Sequence, residues 1–234
     1  MSEKGQQSRV ERATGLLNSL KSAPPHRFTF FSDEKTFIVD PPYNPQNDRW
    51  IRFLDEGGND EGKYMPRLKH PAGAMFLGAV ASMGEKSPPI WFPEGFRLGA
   101  DGYIDALRQT LVPWMRRAAA AHGGSTPAKF TFQQDSAPAH RTRRTLAFLQ
   151  EENVSFWTPQ QWPPNSPDLN PMDYSIWSLV VQRAGKERPS SEAAFKRRVN
   201  AAWRNMDPEK IRAACRHFRP RLERCIQENG SFFD

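Results

Sequence analysis

Two short apolar runs in this chain lead directly to a carboxylate. Phe28-Thr29-Phe30-Phe31 runs into Ser32-Asp33-Glu34, and Phe130-Thr131-Phe132 runs into Gln133-Gln134-Asp135. Runs this short and this aromatic read as buried strands, and an acid at a strand's end can leave the core and meet a ligand. A third acid, Asp173, follows Asn170-Pro171, where Asn170 reads as a helix N-cap and Pro171 as a first-turn residue. Three acids carried to one place by three separate elements would make the oxygen-rich site that two hard divalent cations, Mg²⁺ or Mn²⁺, require.

Neighbouring polar residues are read more modestly. Glu34 follows Asp33 directly, so strand alternation points it to the other face. Asp168 competes with Asp173 for the metal, but an Asp before Leu-Asn-Pro bonds readily to its own backbone and is assigned to the turn. His140 is a candidate for packing or for a hydrogen bond to a carboxylate. No Ser-His-Asp arrangement, phosphate-binding Gly loop or dinucleotide fingerprint competes for the catalytic role.

The motifs around these acids are Ser-Asp-Glu at 32–34, Gln-Asp-x-Ala-Pro-x-His at 134–140, and Trp-Pro-x-Asn-Ser-Pro-Asp-Leu-Asn-Pro-x-Asp at 162–173. In this order they resemble the catalytic domain of mariner-like transposases over residues 28–183. Ser136 stands where that family usually has Asn, and 37 residues separate Asp135 from Asp173, a somewhat longer interval than in mariner itself. The resemblance implies an RNase H-like α/β fold of three layers, with a central mixed sheet flanked by helices and further helices C-terminal to it. It implies that Asp33, Asp135 and Asp173 are catalytic and ligate two Mg²⁺ or Mn²⁺ ions. The partners would be DNA, as transposon ends and target, and a second copy of the chain as a homodimer in the nucleus, with no small-molecule substrate. Family members carry helix-turn-helix units ahead of this domain, which residues 1–25 do not supply. The chain is therefore expected to be a catalytic fragment or a copy without its specific DNA reader. Two alternatives remain: a catalytically idle, transposon-derived DNA-binding protein, and an RNase H-like nuclease acting on RNA.

Charge points to a polyanion. The net charge is +7, and between residues 196 and 224 ten Lys or Arg face three acids, an excess as large as that of the whole chain. Lys196, Arg197 and Arg198, with His140, Arg141, Arg143 and Arg144 beside the second acid, are the candidate DNA contacts. Without an apolar run of ~20 residues or a signal-peptide core the protein is expected to be soluble, with no membrane partner. Cys215 and Cys225 lack His or Cys partners at zinc spacing and read as reduced structural thiols.

Three segments are expected: an N-terminal helix or linker (1–25), the catalytic core (26–184), and basic C-terminal helices packed on it (185–234). Within them, residues 10–20 repeat apolar positions at helical spacing, 36–39 look like a hairpin partner for 28–31, 40–48 and 55–72 like connections, and 49–52 like a continuation of the sheet. Residues 74–81 read as a central strand, 89–92 as an edge strand, and 101–115 as a covering helix capped by Asp101 and kinked or restarted by Pro113. Pro138 is placed in the first turn of a helix beside Asp135. Residues 154–157 read as one more strand. Ser190 or Ser191 caps a helix, and a last helical stretch from Pro208 bends at Pro220 and stops at Asn229-Gly230.

Overall fold

The computed structural model describes residues 1–22, 27–38, 73–93, 95–123, 130–185 and 191–233. Its centre is β1 (Phe28–Ile38), which pairs antiparallel with β2 (Gly73–Ala81) and parallel with β4 (Phe130–Gln133), while β3 (Ile90–Phe92) lies antiparallel on the far edge of β2. The order β3-β2-β1-β4 makes a mixed sheet. Phe30 and Phe31 are consecutive and both buried, because helices cover both faces. Side chains alternate across a strand, so a continuous apolar run marks burial on both sides.

On one face Phe30, Leu77 and Phe132 pack against α2 (Ala100–Ala106), α3 (Val112–Gly123) and α4 (Arg143–Glu151). On the other, Phe31, Phe76 and Val80 pack against α1 (Glu3–Lys21), α5 (Trp177–Ala184), α6 (Glu192–Arg204), α7 (Pro208–Arg216) and α8 (Phe218–Gln227). Aromatic rings dominate this second layer: Phe31 meets Phe218 edge-on at 5.0 Å, and Phe76 meets Trp203 at 5.2 Å. Each such ring contributes about 1.5–3 kcal/mol by burial, and the edge-on geometry adds roughly 0.5–1.5 kcal/mol.

Helix α1 is stitched to the far end of the chain. Arg9, fully buried, donates from Nε to the Gly230 carbonyl at 2.9 Å and from Nη1 to Ser166 Oγ at 2.7 Å, and pairs with Asp168 through both terminal nitrogens. Gly230 is required there: its φ is +77°, and a Cβ would stand 2.2 Å from the Gln6 carbonyl oxygen. Ala13 and Leu16 enter the same apolar cluster as the sheet and the C-terminal helices.

Several local expectations change. Residues 36–38 belong to β1 rather than to a hairpin partner, so Asp33 sits in mid-strand opposite Gly78. Residues 39–72, including the anticipated connections and the 49–52 segment, lie outside the described residues. The 154–157 segment makes one parallel bridge, Phe156 to Phe132, instead of a full strand. Gly99, not Asp101, precedes α2. Pro113 is the second residue of α3, which restarts the helix after a wide π-turn (Leu107–Leu111) in which the Val112 N–H reaches Leu107 five residues back. The chain also breaks at His217, so Pro220 falls in the first turn of a new helix, where its missing N–H costs nothing. Ser191 caps α6 by accepting from the Ala194 N–H, as the sequence suggests.

Candidate functional site

Ser32 joins the elements that carry the three acids. Buried on β1 just before Asp33, it donates from Oγ to the Gln133 carbonyl at 3.0 Å, and its own carbonyl accepts from Asn170 Nδ2 at 3.2 Å. Gln133 ends β4, two residues before Asp135. Asn170 accepts from the Met172 N–H at 3.1 Å and so caps the turn that holds Asp173. That turn, Met172–Ile176, is a π-turn leading into α5, with the Trp177 N–H reaching back to Met172. Such wide turns recur at functional sites.

Asp33, Asp135 and Asp173 are thereby brought within electrostatic reach of one another. Burial, and then the charge of Asp173, push Asp33 up to about 8, although Trp177 Nε1 opposes this by donating to its Oδ2 at 2.6 Å. Burial also pushes Asp173 up to about 6 while Lys35 pulls it down, and Asp173 accepts a hydrogen bond from Asp33. Burial among the other acids therefore favours the protonated form of Asp33 when no cation is bound. Asp135 behaves differently. Burial would raise it, but the His140 hydrogen bond and charge, with the Ala137 N–H, outweigh burial and hold it below the ordinary carboxylate range.

His140 lies between two acids. Its Nδ1 meets Asp135 Oδ1 at 2.6 Å and its Nε2 meets Glu34 Oε1 at 3.1 Å. Burial would lower it, but these two hydrogen bonds win and raise it to about 10. Its side chain is 2% exposed, so the expected DNA contact at His140 is replaced by an internal one. Pro138 likewise lies in a turn, since α4 begins only at Arg143 behind the Thr142 cap; Asp135 is turned by the Ala137 N–H at 2.8 Å rather than by a helix end. Asp168 makes the buried pair with Arg9 and is not a free turn acid.

The oxygen-only donor set suits a hard cation. So does the crowding of acids that raises Asp33, since a cation would relieve it. Ser136 Oγ, beside Asp135, is buried without a hydrogen-bond partner. Among the described residues, no three or more His, Cys, Asp or Glu side chains are gathered into a ready-made ion site. Trp177 takes Oδ2 of Asp33 and His140 takes Oδ1 of Asp135.

The candidate DNA contacts lie in two places. Arg141, Arg143 and Arg144 are exposed at the start of α4, Arg144 paired with Asp101. On α6, Lys196 pairs with Glu192 at 2.6 Å and covers the Trp91 ring, Arg197 is exposed, and Arg198 lines a cleft with Arg183 and Asn205.

No protein-family model matches the chain. Sequence relatives do exist. It is 25% identical over 204 residues to the Caenorhabditis elegans transposable element Tc1 transposase, covering 86% of this chain and 67% of that protein. It is 26% identical over 161 residues to the Caenorhabditis briggsae Tcb2 transposase, covering 69% of this chain and 53% of that one. In structure it superposes over its whole length on the catalytic domain of Mos1 mariner transposase solved with raltegravir and Mg, with a TM-score of 0.73 at 20% identity and 99% of that domain covered. The chain is similar in sequence to Tc1-type transposases. Its fold is that of the mariner catalytic domain, RNase H-like, with a mixed sheet between two helical layers. On the longer chain of the Mos1 paired-end complex with Mn, the TM-score is 0.82 and 65% of that chain is covered. Among the described residues, no helix is long and apolar enough to cross a membrane.

Two residues carried no sequence signal. Trp177 looked like a packing residue of α5, and only the fold brings its indole N–H to Asp33. Glu34 does point to the opposite face, as alternation requires, but His140 waits there.

Proposed function

We propose that this chain is a transposase catalytic domain that cleaves DNA and joins the freed 3′ end to a target, using two Mg²⁺ or Mn²⁺ ions held by Asp33, Asp135 and Asp173. The observation that carries this reading is the meeting, around Ser32, of the strand and turn elements that bear the three acids. The Mos1 catalytic domain was solved with Mg and with Mn, which supports the choice of metal. When bound, the ions would activate water or a 3′-hydroxyl as nucleophile and stabilise the leaving oxygen.

The chain's own groups do the rest. Trp177 holds one oxygen of Asp33, so the other is left for a ligand. His140 and the Ala137 N–H occupy Oδ1 of Asp135 and leave Oδ2 open. Lys35 tempers the charge at Asp173. Arg141, Arg143 and Arg144 at the start of α4, with Lys196, Arg197 and Arg198 on α6, would hold the phosphate backbone as point and fork donors. Mos1 forms paired-end complexes with transposon DNA, which supports DNA ends as substrate and two copies acting together. Acting on chromosomal DNA, the protein would work in the nucleus of a eukaryotic cell.

The test is metal-dependent nicking of duplex DNA by the purified chain. Nicking that needs Mg²⁺ or Mn²⁺ and disappears in Asp135→Asn, with an unchanged melting profile, is expected. Full activity in that variant would sink the assignment. Preferential cutting of an RNA–DNA hybrid would favour a ribonuclease, and no cutting of either would favour an idle DNA-binding relative.

A further inference from the structure

Glu34 is a carboxylate with little access to water, and among the described residues its hydrogen-bond partner is His140. Its side chain is 15% exposed, and its Oε1 contacts His140 Nε2 at 3.1 Å. Strand alternation keeps it off the face of Asp33, so it cannot join the acid cluster directly. A carboxylate withdrawn from water is costly unless its partner justifies it.

His140 is restrained on every other side. Its ring lies 4.0 Å, centroid to centroid, from that of Tyr103. The Tyr103 hydroxyl donates to Gln134 Oε1 at 2.9 Å, and Gln134 Nε2 donates to the His140 carbonyl at 3.2 Å. Ring tilt and backbone are therefore fixed. What these contacts leave open is the ring's half-turn about its own axis, since terminal torsions of this kind are broad and roughly two-fold. A flipped ring would present carbon, not Nδ1, to Asp135. The bond from Nε2 to Glu34 closes that option.

We propose that Glu34 is a positioning residue that acts through His140 to fix which oxygen of Asp135 faces the metal site. Asp135 Oδ1 takes hydrogen bonds from His140 Nδ1 at 2.6 Å and from the Ala137 N–H at 2.8 Å. Oδ2 is then the ligand oxygen. Without Glu34 the flipped ring competes with the observed one; in the flipped form Asp135 keeps only the Ala137 N–H on Oδ1, and its carboxylate is held less firmly. Partners that orient a metal ligand in this way typically change metal affinity by about 10–100-fold.

The inference rests on the metal-site reading of Asp135, and two substitutions separate position from charge. Glu34→Gln keeps length and hydrogen-bonding capacity but removes charge. Glu34→Asp keeps charge but withdraws the carboxylate by one methylene. Mn²⁺ affinity of the full 234-residue chain, read from the free-Mn²⁺ electron paramagnetic resonance signal, is the primary measurement. The His140 ring ¹⁵N resonances of the metal-free protein give the second, independent of activity. Glu34→Asp should weaken Mn²⁺ binding ~10–100-fold and lose the Nε2 hydrogen-bond signature, while Glu34→Gln stays within about threefold of the parent and keeps it. A parent-like Glu34→Asp, or a Glu34→Gln as weak as Glu34→Asp, overturns the proposal. Asp135→Asn is the control: if it binds Mn²⁺ as well as the parent, the metal-site reading itself has failed. If it loses binding while both Glu34 variants are normal, only the positioning role has failed.

Discussion

Trp177 donates from Nε1 to Asp33 Oδ2 at 2.6 Å, across 144 residues of sequence. The indole arrives from α5, four residues after Asp173, so one helix start delivers both an acid to the site and the donor that orients its neighbour. Gly78, opposite Asp33, makes the room: a Cβ there would lie 2.8 Å from the Trp203 ring and 3.2 Å from that of Trp177. Trp177→Phe keeps most of the packing and removes the donor. The hydrogen bond holds Asp33 down, so its loss should move Asp33 still higher than about 8. Mn²⁺ binding, which must displace that proton, should then need a more alkaline solution, as calorimetry across pH would read directly. An unchanged pH midpoint would contradict this.

The same acids make stability depend on pH. Asp33 is raised to about 8 and Asp173 to about 6 in the fold. A raised carboxyl favours the folded state in its protonated form, so the contribution is complete below the unfolded value and disappears as pH climbs through the folded one. In EDTA, the melting temperature should fall between pH 4 and pH 8. His140, raised to about 10, loses its contribution in the same direction at higher pH. Asp33→Asn mimics the protonated acid and should flatten the decline, gaining at least ~3 °C over the parent near pH 8. A parent-like slope in that variant would show that Asp33 is not the group responsible.

Arg9 and Asp168 form a buried pair that closes the chain's two ends onto the proline-rich loop. Removing one partner leaves the other charge stranded, at a cost of about 3–5 kcal/mol. Arg9→Ala should show that loss in urea unfolding, and the double replacement Arg9→Met with Asp168→Leu should recover most of it. If Arg9→Ala costs under about 1 kcal/mol, the clamp contributes little.

Arg141, Arg143 and Arg144 can be tested by salt dependence. Each phosphate contact removed should lower the slope of log affinity against log salt by roughly one unit for duplex DNA. Gln substitutions at Arg141 and Arg143, measured by fluorescence anisotropy, should weaken binding uniformly across DNA sequences. A slope identical to the parent's would place the DNA elsewhere.

The sequence by itself determined what is local. The runs 28–31 and 130–132 became strands, Asn170 and Ser191 became caps, and Asn229-Gly230 became a stop, because φ/ψ preference, capping and turn chemistry act within a few residues. The motifs around the three acids are local too, Asp33 lying within a strand and Asp135 and Asp173 within turns. Tertiary structure decided everything that needed a partner far away. It ran β1 on through Asp33 to pair with β2, gave Trp177 to Asp33, set Glu34 behind His140, and took Asp168 for Arg9. Periodicity tells which face a side chain occupies but not what stands on that face. Two helical layers closing on one sheet supply that answer, because the energy of a buried charge depends on its neighbours rather than on its place in the chain.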